Sequence, residues 1–345
     1  MRKFFAAIGN PPYQEIQEGD NQTFAPPVYD KFLTEAYKIA DKVEMIHPAR
    51  FLFNAGSTPK AWNKQMLEDP HLKVLFHEQD SSKVFSNTDI KGGVAVTYHD
   101  TTQNFGSIGV FTPFPELNAI KNKVVAEGNF ASMSGMVTSA YANHFSKIMH
   151  QEHPDAIERL SKGHAYDLKS NVFEKLDDIF HEQAPDDHQQ YAKVLGLIKG
   201  KRVYRFIERK YLEAHDSINS YKVLMPAANG SGELGETLAS PVVEGPMTCA
   251  TETFVTIGAF DTEAEANALL KYIKTKFARA LLGVLKVTQH VTPEKWQYVP
   301  LQDFTSASDI NWSLSVAEID QQLYKKYGLS DEEIQFIETH VKEMN

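Results

Sequence analysis

The apolar run near the start of the chain and the two prolines behind it constrain the fold more than any other feature. Residues 4–8 are uninterruptedly apolar, which is typical of a short buried strand. After Gly9 and Asn10, two consecutive prolines end the strand, because each fixes φ and lacks the N–H donor of a sheet ladder. Pro11 and Pro12 therefore predict a rigid turn at the carboxyl end of a strand, where open α/β sheets place their ligands.

Strand-like and helix-like segments alternate through the first hundred or so positions. Such alternation favours α/β units. Beyond residue 100 the pattern weakens into Thr, Gly, Ser and Pro, which indicates a domain boundary. The predicted elements are a helix from Pro27 through Ile39, a strand at 43–46, a helix around 60–67, and strands at 72–76 and 93–98.

The composition excludes several classes of protein. Hydrophobic residues make up 42% and charged residues 23%, as in ordinary soluble globular chains with an ample core. The single cysteine, Cys249, excludes an intramolecular disulfide framework and favours a cytoplasmic protein. No apolar stretch is long enough to span a membrane, so no membrane association is expected. The net charge of −10 argues against general coating of nucleic acid but permits a local basic face.

The residues of the proline turn suit the binding of an aromatic amine. Such an amine is a poor nucleophile because its lone pair is delocalised into the ring. Asn10 offers a side-chain carbonyl and Pro11 a backbone carbonyl, two acceptors that favour a pyramidal nitrogen and meet its developing charge. Tyr13 offers a π-face to a base taken out of its stack. The same residues also fit a plain turn after an edge strand, and the tetrapeptide alone does not separate the two.

Asn10 to Tyr13, directly behind an apolar strand, resembles the catalytic motif of S-adenosylmethionine-dependent DNA adenine amino-methyltransferases. Residues 47–51, 84–93 and 299–305 resemble one branch, the type IIG/type III-like restriction-modification enzymes. The resemblance implies a partial Rossmann-like methyltransferase sheet of α/β class, followed by an α+β target-recognition domain. The implied domains are 1–105, the carboxyl-terminal part of the catalytic domain; 106–310, the DNA target-recognition domain; and 311–345, a helical segment.

The resemblance also implies roles for individual residues. Asn10 and Pro11 would hold the adenine amine, Pro12 would stiffen the turn, and Tyr13 would stack on the flipped base. An aromatic residue near the strand after the 89–93 loop would help to hold that base. The candidates are Tyr98 and Phe85.

The implied cofactor, S-adenosylmethionine, lacks part of its expected site. The family needs a glycine-rich turn after its first strand and an acidic residue for the ribose hydroxyls, both ahead of the catalytic turn. Only nine residues precede Asn10, and residues 300–345 contain no such turn. We therefore expect a carboxyl-terminal half with an incomplete cofactor site, and a partner chain or upstream segment that completes it.

Residues 199–211 form the clearest basic patch of an acidic chain. If this segment is helical, three of its arginines fall on one face. A solvated charged face is the alternative interpretation. With the resemblance, contact with the phosphates of double-stranded DNA is favoured. The predicted DNA-binding residues are Lys199, Lys201, Arg202, Arg205, Arg209 and Lys210.

Two further patterns concern helices and metals. Thr262 with Glu265, and Ser330 with Glu333, form capping boxes, and the first predicts one long helix continuing to Leu285. The thirteen histidines lack the spacing of a zinc helix, so no metal site is predicted.

Two hypotheses follow. In the first, the chain is part of a site-specific DNA adenine methyltransferase of a restriction-modification system. In the second, it is a non-catalytic DNA-binding or protein-interaction remnant of such an enzyme.

Overall fold

The chain divides into two compact units, residues 1–115 and 116–345. The computed structural model describes residues 4–15, 25–54, 56–90 and 92–344. The division falls after Pro115, and residues 311–345 lie within the second unit.

Every helix and strand predicted for the first unit is present. Their bounds are β1 Phe4–Gly9, α1 Tyr29–Ile39, β2 Ala40–Pro48, α2 Lys60–Glu68, β3 Leu72–Glu78 and β4 Val94–Asp100. The four strands form a sheet with the order β1-β2-β4-β3. Strands β1 and β2 are parallel, whereas β4 is antiparallel to both β2 and β3.

The core of the first unit forms where helix α1 meets the sheet. Leu33 of α1 is fully buried, and Ala36 packs with Val43 of β2. The short helix after β2, Ala49–Phe53, adds Phe51, which is also fully buried. This unit therefore buries the apolar stripe of α1 against β2 and the segment that follows it.

Strand β1 is formed as predicted, but the prediction that it is buried is wrong. Phe5 is 73% exposed and Ile8 is 80% exposed, and no residue of β1 falls in the buried class. The reason is its position: within the described part of the chain, β1 is an edge strand that pairs with β2 alone.

The second unit contains three small sheets. The strands are β5 His144–Phe145, β6 Tyr191–Ile198, β7 Lys201–Glu208, β8 Leu212–Glu213, β9 Tyr221–Pro226, β10 Val242–Glu244, β11 Thr248–Ala250 and β12 Phe254–Phe260. The helices are α3 Pro115–Ala126, α4 Lys147–Glu152, α5 Ala156–Arg159, α6 Val172–Lys175, α7 Glu263–Lys274, α8 Lys276–Gly283, α9 Val316–Lys326 and α10 Asp331–His340.

Helices of the second unit pack on its sheets and on one another. Strands β10, β9 and β12 form an antiparallel sheet, β11 and β7 flank β6, and β5 pairs with β8. Helix α7 packs on the β10-β9-β12 sheet, and helices α9 and α10 pack on α8.

The predicted long helix after Thr262 is wrong in one respect, because it breaks at Thr275 into α7 and α8. Thr275 has an extended ψ of 148°, and its hydroxyl accepts the N–H of Ala278 at 3.1 Å. The buried carboxylate of Asp320, on α9, accepts the N–H groups of Lys276 and Phe277, both at 2.9 Å. A side chain distant in sequence thus satisfies the free donors of a new helix start.

The capping boxes themselves are confirmed. The side chains of Thr262 and Ser330 accept the N–H groups of Glu265 and Glu333, and each glutamate reaches back to its capping residue. A third box, Ser315 with Glu318, begins α9 in the same way, and the sequence analysis missed it.

We expect Asp320 to make stability depend on pH. Burial raises the pKa of this carboxyl from 3.8 to about 6. Protonated Asp320 therefore gives its full contribution to the free energy of unfolding below pH 3.8, and this contribution is lost as the pH rises through about 6. The loss amounts to roughly 3 kcal/mol. Asp320→Asn should flatten the free energy of unfolding, measured by urea denaturation, between about pH 4 and 6.

The control for this experiment is Asp331→Asn, which changes an exposed acid in the first turn of α10. Its pH profile should follow that of the wild type. Parallel profiles for the wild type and Asp320→Asn would contradict the assignment.

Candidate functional site

The candidate site lies at the edge of the first unit's sheet where two parallel strands end. Because β1 and β2 run in the same direction, with Gly9 opposite Met45, their carboxyl ends meet at one edge. The Asn-Pro-Pro-Tyr turn follows β1, and the short helix Ala49–Phe53 follows β2. Both segments therefore come to the same place.

The structure gives the four turn residues different environments. Asn10 is exposed, and its side chain makes no hydrogen bond to the described residues, whereas Pro11 is buried. Pro12 is exposed and Tyr13 is half-buried. The carbonyl of Tyr13 accepts the N–H of Val28 at 3.1 Å, which ties the turn to the start of α1. The turn is thus fixed at its base and leaves the Asn10 amide accessible.

A cavity of about 250 Å³ opens beside Tyr13. This volume is just below the range of about 300–1,000 Å³ typical of pockets for drug-sized ligands, so it suits a single small ring system. Of the turn residues, Tyr13 lines the cavity and Asn10 does not. The lining residues are Tyr13, Gln14, Ala25, Pro27, Tyr29, Pro48, Arg50, Gly56, Ser57, Asp89 and Ile90.

Of the two predicted stacking residues, Phe85 lies beside the turn and Tyr98 does not. The rings of Tyr13 and Phe85 meet edge to face, with centroids 6.4 Å apart. Tyr98 lies on β4 opposite Glu44, and its hydroxyl donates to Asp100 at 2.9 Å. Because β4 is antiparallel to β2, Asp100 pairs with Lys42 near the amino end of β2, whereas the turn lies near the carboxyl end. The Tyr98 hydroxyl therefore points away from the turn.

The hydroxyl of Tyr13 is buried and has no hydrogen-bond partner among the residues that the structure describes. Burial also raises the pKa of Tyr13, so the hydroxyl stays protonated at neutral pH. A buried polar group without a partner is costly, so each one calls for an explanation. The Tyr13 hydroxyl therefore has unused hydrogen-bonding capacity in a residue that lines the cavity.

Sequence reasoning missed two residues of this cavity, Tyr29 and Arg50. Tyr29 is 3% exposed and stacks on His47, with the ring centroids 5.7 Å apart. Burial lowers the pKa of His47 to about 4, so the imidazole is neutral and supports Tyr29 rather than transferring protons. The sequence did contain a signal for Arg50. This residue follows the predicted strand that Pro48 ends, just as Asn10 follows the first strand.

The basic segment 199–211 forms no α-helix, and only its last three residues, Arg209–Tyr211, form a short 3-10 helix. Residues Lys201–Glu208 form strand β7, joined to β6 by the two-residue turn Lys199-Gly200. Both turn residues have positive φ, 50° and 76°, as this kind of tight hairpin requires. The helical face predicted for the three arginines is therefore wrong, because Arg202 and Arg205 lie on opposite faces of strand β7 and Arg209 lies in the short helix after it.

Most cations of this segment are engaged within the chain itself. Arg202 donates to the carbonyls of Ser240 and Ala239, and Arg205 pairs with Glu182 at 3.1 Å. Arg209 donates to the carbonyl of Leu212, and Lys210 pairs with Glu152 and Glu208. Lys199 and Lys201, at the hairpin tip, are exposed and make no polar contact with the described residues.

Two further findings concern the part of the chain that the structure describes. It contains no group of three or more His, Cys, Asp or Glu residues placed to hold a metal ion. None of its helices has the length and apolar character needed to cross a membrane.

Comparison with models of protein families matches residues 1–85 to Eco57I restriction-modification methylase. No curated protein matches the chain. The matched residues include the Asn-Pro-Pro-Tyr turn, the end of β2 and Phe85. The match supports a restriction-modification methylase family for this segment, which covers 85 of the 345 residues.

Proposed function

We propose that this chain is part of a site-specific DNA adenine methyltransferase of a restriction-modification system. The observation that carries the proposal is the accessible Asn10 amide at the carboxyl edge of two parallel strands, next to a cavity lined by Tyr13. The restriction-modification methylase match over residues 1–85 supports the same reaction class.

In this proposal the residues of the chain hold the acceptor base. The side-chain carbonyl of Asn10 and the backbone carbonyl of Pro11 accept the two hydrogens of the adenine amine. They thereby favour an available lone pair on nitrogen and offset the positive charge that develops there. Tyr13 and Phe85 offer aromatic surfaces to the flipped base, and Pro12 limits the motion of the turn.

The methyl donor of this reaction class is S-adenosylmethionine, and the residues described do not fit a complete site for it. The cavity beside Tyr13 is small, and the expected glycine-rich turn is absent from the sequence. When bound, this cofactor supplies an electrophilic methyl group. We infer that a further α/β segment, in a partner chain or upstream in the same polypeptide, holds it.

Strand β1 is where we propose that this segment joins. Its side chains are exposed and mostly apolar on both faces: Phe4 is 55%, Phe5 73% and Ile8 80% exposed. Strands that are apolar on both faces are typical of the interior of parallel sheets, where helices cover each side. An added parallel strand with flanking helices would bury these side chains and complete the Rossmann-like sheet.

For DNA contact we propose the tip of the β6–β7 hairpin. Lys199 and Lys201 are the cations of the basic segment that remain without a polar contact in the described part of the chain. A two-stranded hairpin is narrow enough to enter the major groove of DNA. The ammonium groups of Lys199 and Lys201 would bind phosphates, which positions a duplex without reading its sequence.

Asn10→Ala should reduce methyl transfer to DNA at least about 100-fold, since it removes a preorganised acceptor of the amine. The measurement is transfer of labelled methyl groups by this chain together with the segment that supplies the cofactor site. Gln65→Ala, an exposed amide on α2, is the matched control and should keep full activity. Unchanged transfer in the Asn10 variant would remove Asn10 from its role. DNA binding without transfer by the wild type would favour the non-catalytic alternative.

Replacing both Phe5 and Ile8 by Ser should abolish assembly with the cofactor-binding segment, because it removes the apolar surface that the added strand would bury. Co-purification of the two parts measures this. Phe76→Ser changes a residue on β3, at the other edge of the sheet, that is 46% exposed, and it should leave assembly intact. Equal assembly of both variants would argue against docking at β1.

The double variant Lys199→Ala, Lys201→Ala should lower the salt dependence of duplex binding. Each phosphate contact contributes about 0.9 to the slope of log K against log salt concentration, so the slope should fall by about 2. Titrations at several salt concentrations measure it. Lys64→Ala with Lys325→Ala removes the same charge elsewhere, and an equal fall in slope for this control would refute a contact at the hairpin.

A further inference from the structure

Arg50 is the cation of the cavity beside Tyr13. It is the second residue after strand β2, in the short helix that brings it to the same edge as the turn. It is half-buried and lines the cavity with Tyr13 and Tyr29. Arg50 is the sole arginine among the residues described in the first unit, because the arginine at position 2 lies outside them. Its location beside the proposed base site calls for a role.

Two glycines hold the side chain of Arg50 in place. A Cβ added to Gly56 would lie 3.1 Å from the Arg50 methylenes, and one added to Gly92 would lie 3.0 Å from them. Both glycines have positive φ, 82° and 88°, which side-chain-bearing residues rarely adopt. The backbones of these two glycines therefore lie close against the aliphatic stem of Arg50 and leave little room there for a side chain.

The side chains around the cavity are complementary to the groups of a nucleotide. The cavity offers one guanidinium, from Arg50, one carboxylate, from Asp89, and the aromatic rings of Tyr13 and Tyr29. Arg50 acts electrostatically on Tyr29, where it opposes the rise in that group's pKa. Arg50 and Asp89 both have contacts within the protein. A guanidinium has five N–H donors, so it can keep such a contact and also bind an anion.

We propose that Arg50 binds the phosphodiester next to the target adenine and so fixes the position of the flipped nucleotide in front of Asn10. The inference rests on the proposed function and adds a positioning residue to it. Arginine suits this task because its planar fork binds two phosphate oxygens at once. The close backbones of Gly56 and Gly92 restrict the aliphatic stem of Arg50, which reduces the entropy lost on binding.

The test uses methylphosphonates, which replace a charged phosphate by a neutral group. The 345-residue chain is titrated with a fluorescent nine-nucleotide single strand containing one adenine among thymines, and binding is followed by anisotropy. The neutral group is placed on the 5′ side of the adenine, on its 3′ side, or at the far end of the strand. We expect one of the two flanking positions to weaken wild-type binding about tenfold, and the far position to have little effect.

Arg50→Gln should bind the unmodified strand about tenfold more weakly and should no longer respond to the neutral group at the sensitive position. Arg50→Lys should keep part of the response, since it retains the charge but loses the fork. Lys64→Gln, which removes an exposed positive charge from α2, is the matched control and should behave as the wild type. Thermal unfolding of each variant confirms that it is folded.

The outcomes separate this inference from the proposed function. If Arg50→Gln shows the same methylphosphonate penalty as the wild type, or if the wild type shows none, the phosphate contact is refuted. If the wild type does not prefer the adenine strand to the same strand with an abasic site in its place, the proposed base site fails. A preference for adenine without any Arg50 effect overturns the phosphate contact alone.

Discussion

The candidate site depends on the parallel pairing of β1 with β2. Hydrogen bonding in one direction brings both carboxyl ends to a single edge, where Gly9 stands opposite Met45. The Asn-Pro-Pro-Tyr turn and the segment with Arg50 follow these two strands. An antiparallel pairing would have sent the two segments to opposite edges. The cavity beside Tyr13 is therefore a consequence of strand direction as much as of the residues in the turn.

Buried polar groups fix the second unit in a comparable way. Asp320 supplies the acceptors for the start of α8 and so creates a bend between two helices. Lys222, which is 1% exposed, donates to the carbonyls of Ser220 and Gly245 at 2.9 and 2.7 Å. Burial lowers the pKa of Lys222 to about 8. Each group ties loop or helix ends that lack partners of their own, which apolar packing does not achieve.

The distribution of charge bears on how such a chain approaches DNA. Most cations of the basic segment 199–211 bind carbonyls and carboxylates of the same chain. In an acidic chain of net charge −10, exposed cations without such contacts carry more weight than the count of basic residues. Hence we place the proposed contacts of the basic segment at the hairpin tip, with Lys199 and Lys201, rather than along a whole basic face. Arg50 is proposed on separate grounds, because it lines the cavity beside Tyr13.

The sequence by itself determined the elements whose signals are local. Proline chemistry ended β1, periodicity located α1 and α2, and Thr262 and Ser330 marked helix starts, since each depends on residues a few positions apart. Tertiary structure decided what depends on distant partners. Asp320 broke the long helix, β6 converted the basic segment to a strand, and edge position left β1 exposed. Arg50 likewise lines the same cavity as Tyr13 because β1 and β2 pair, a non-local interaction that no sequence window contains.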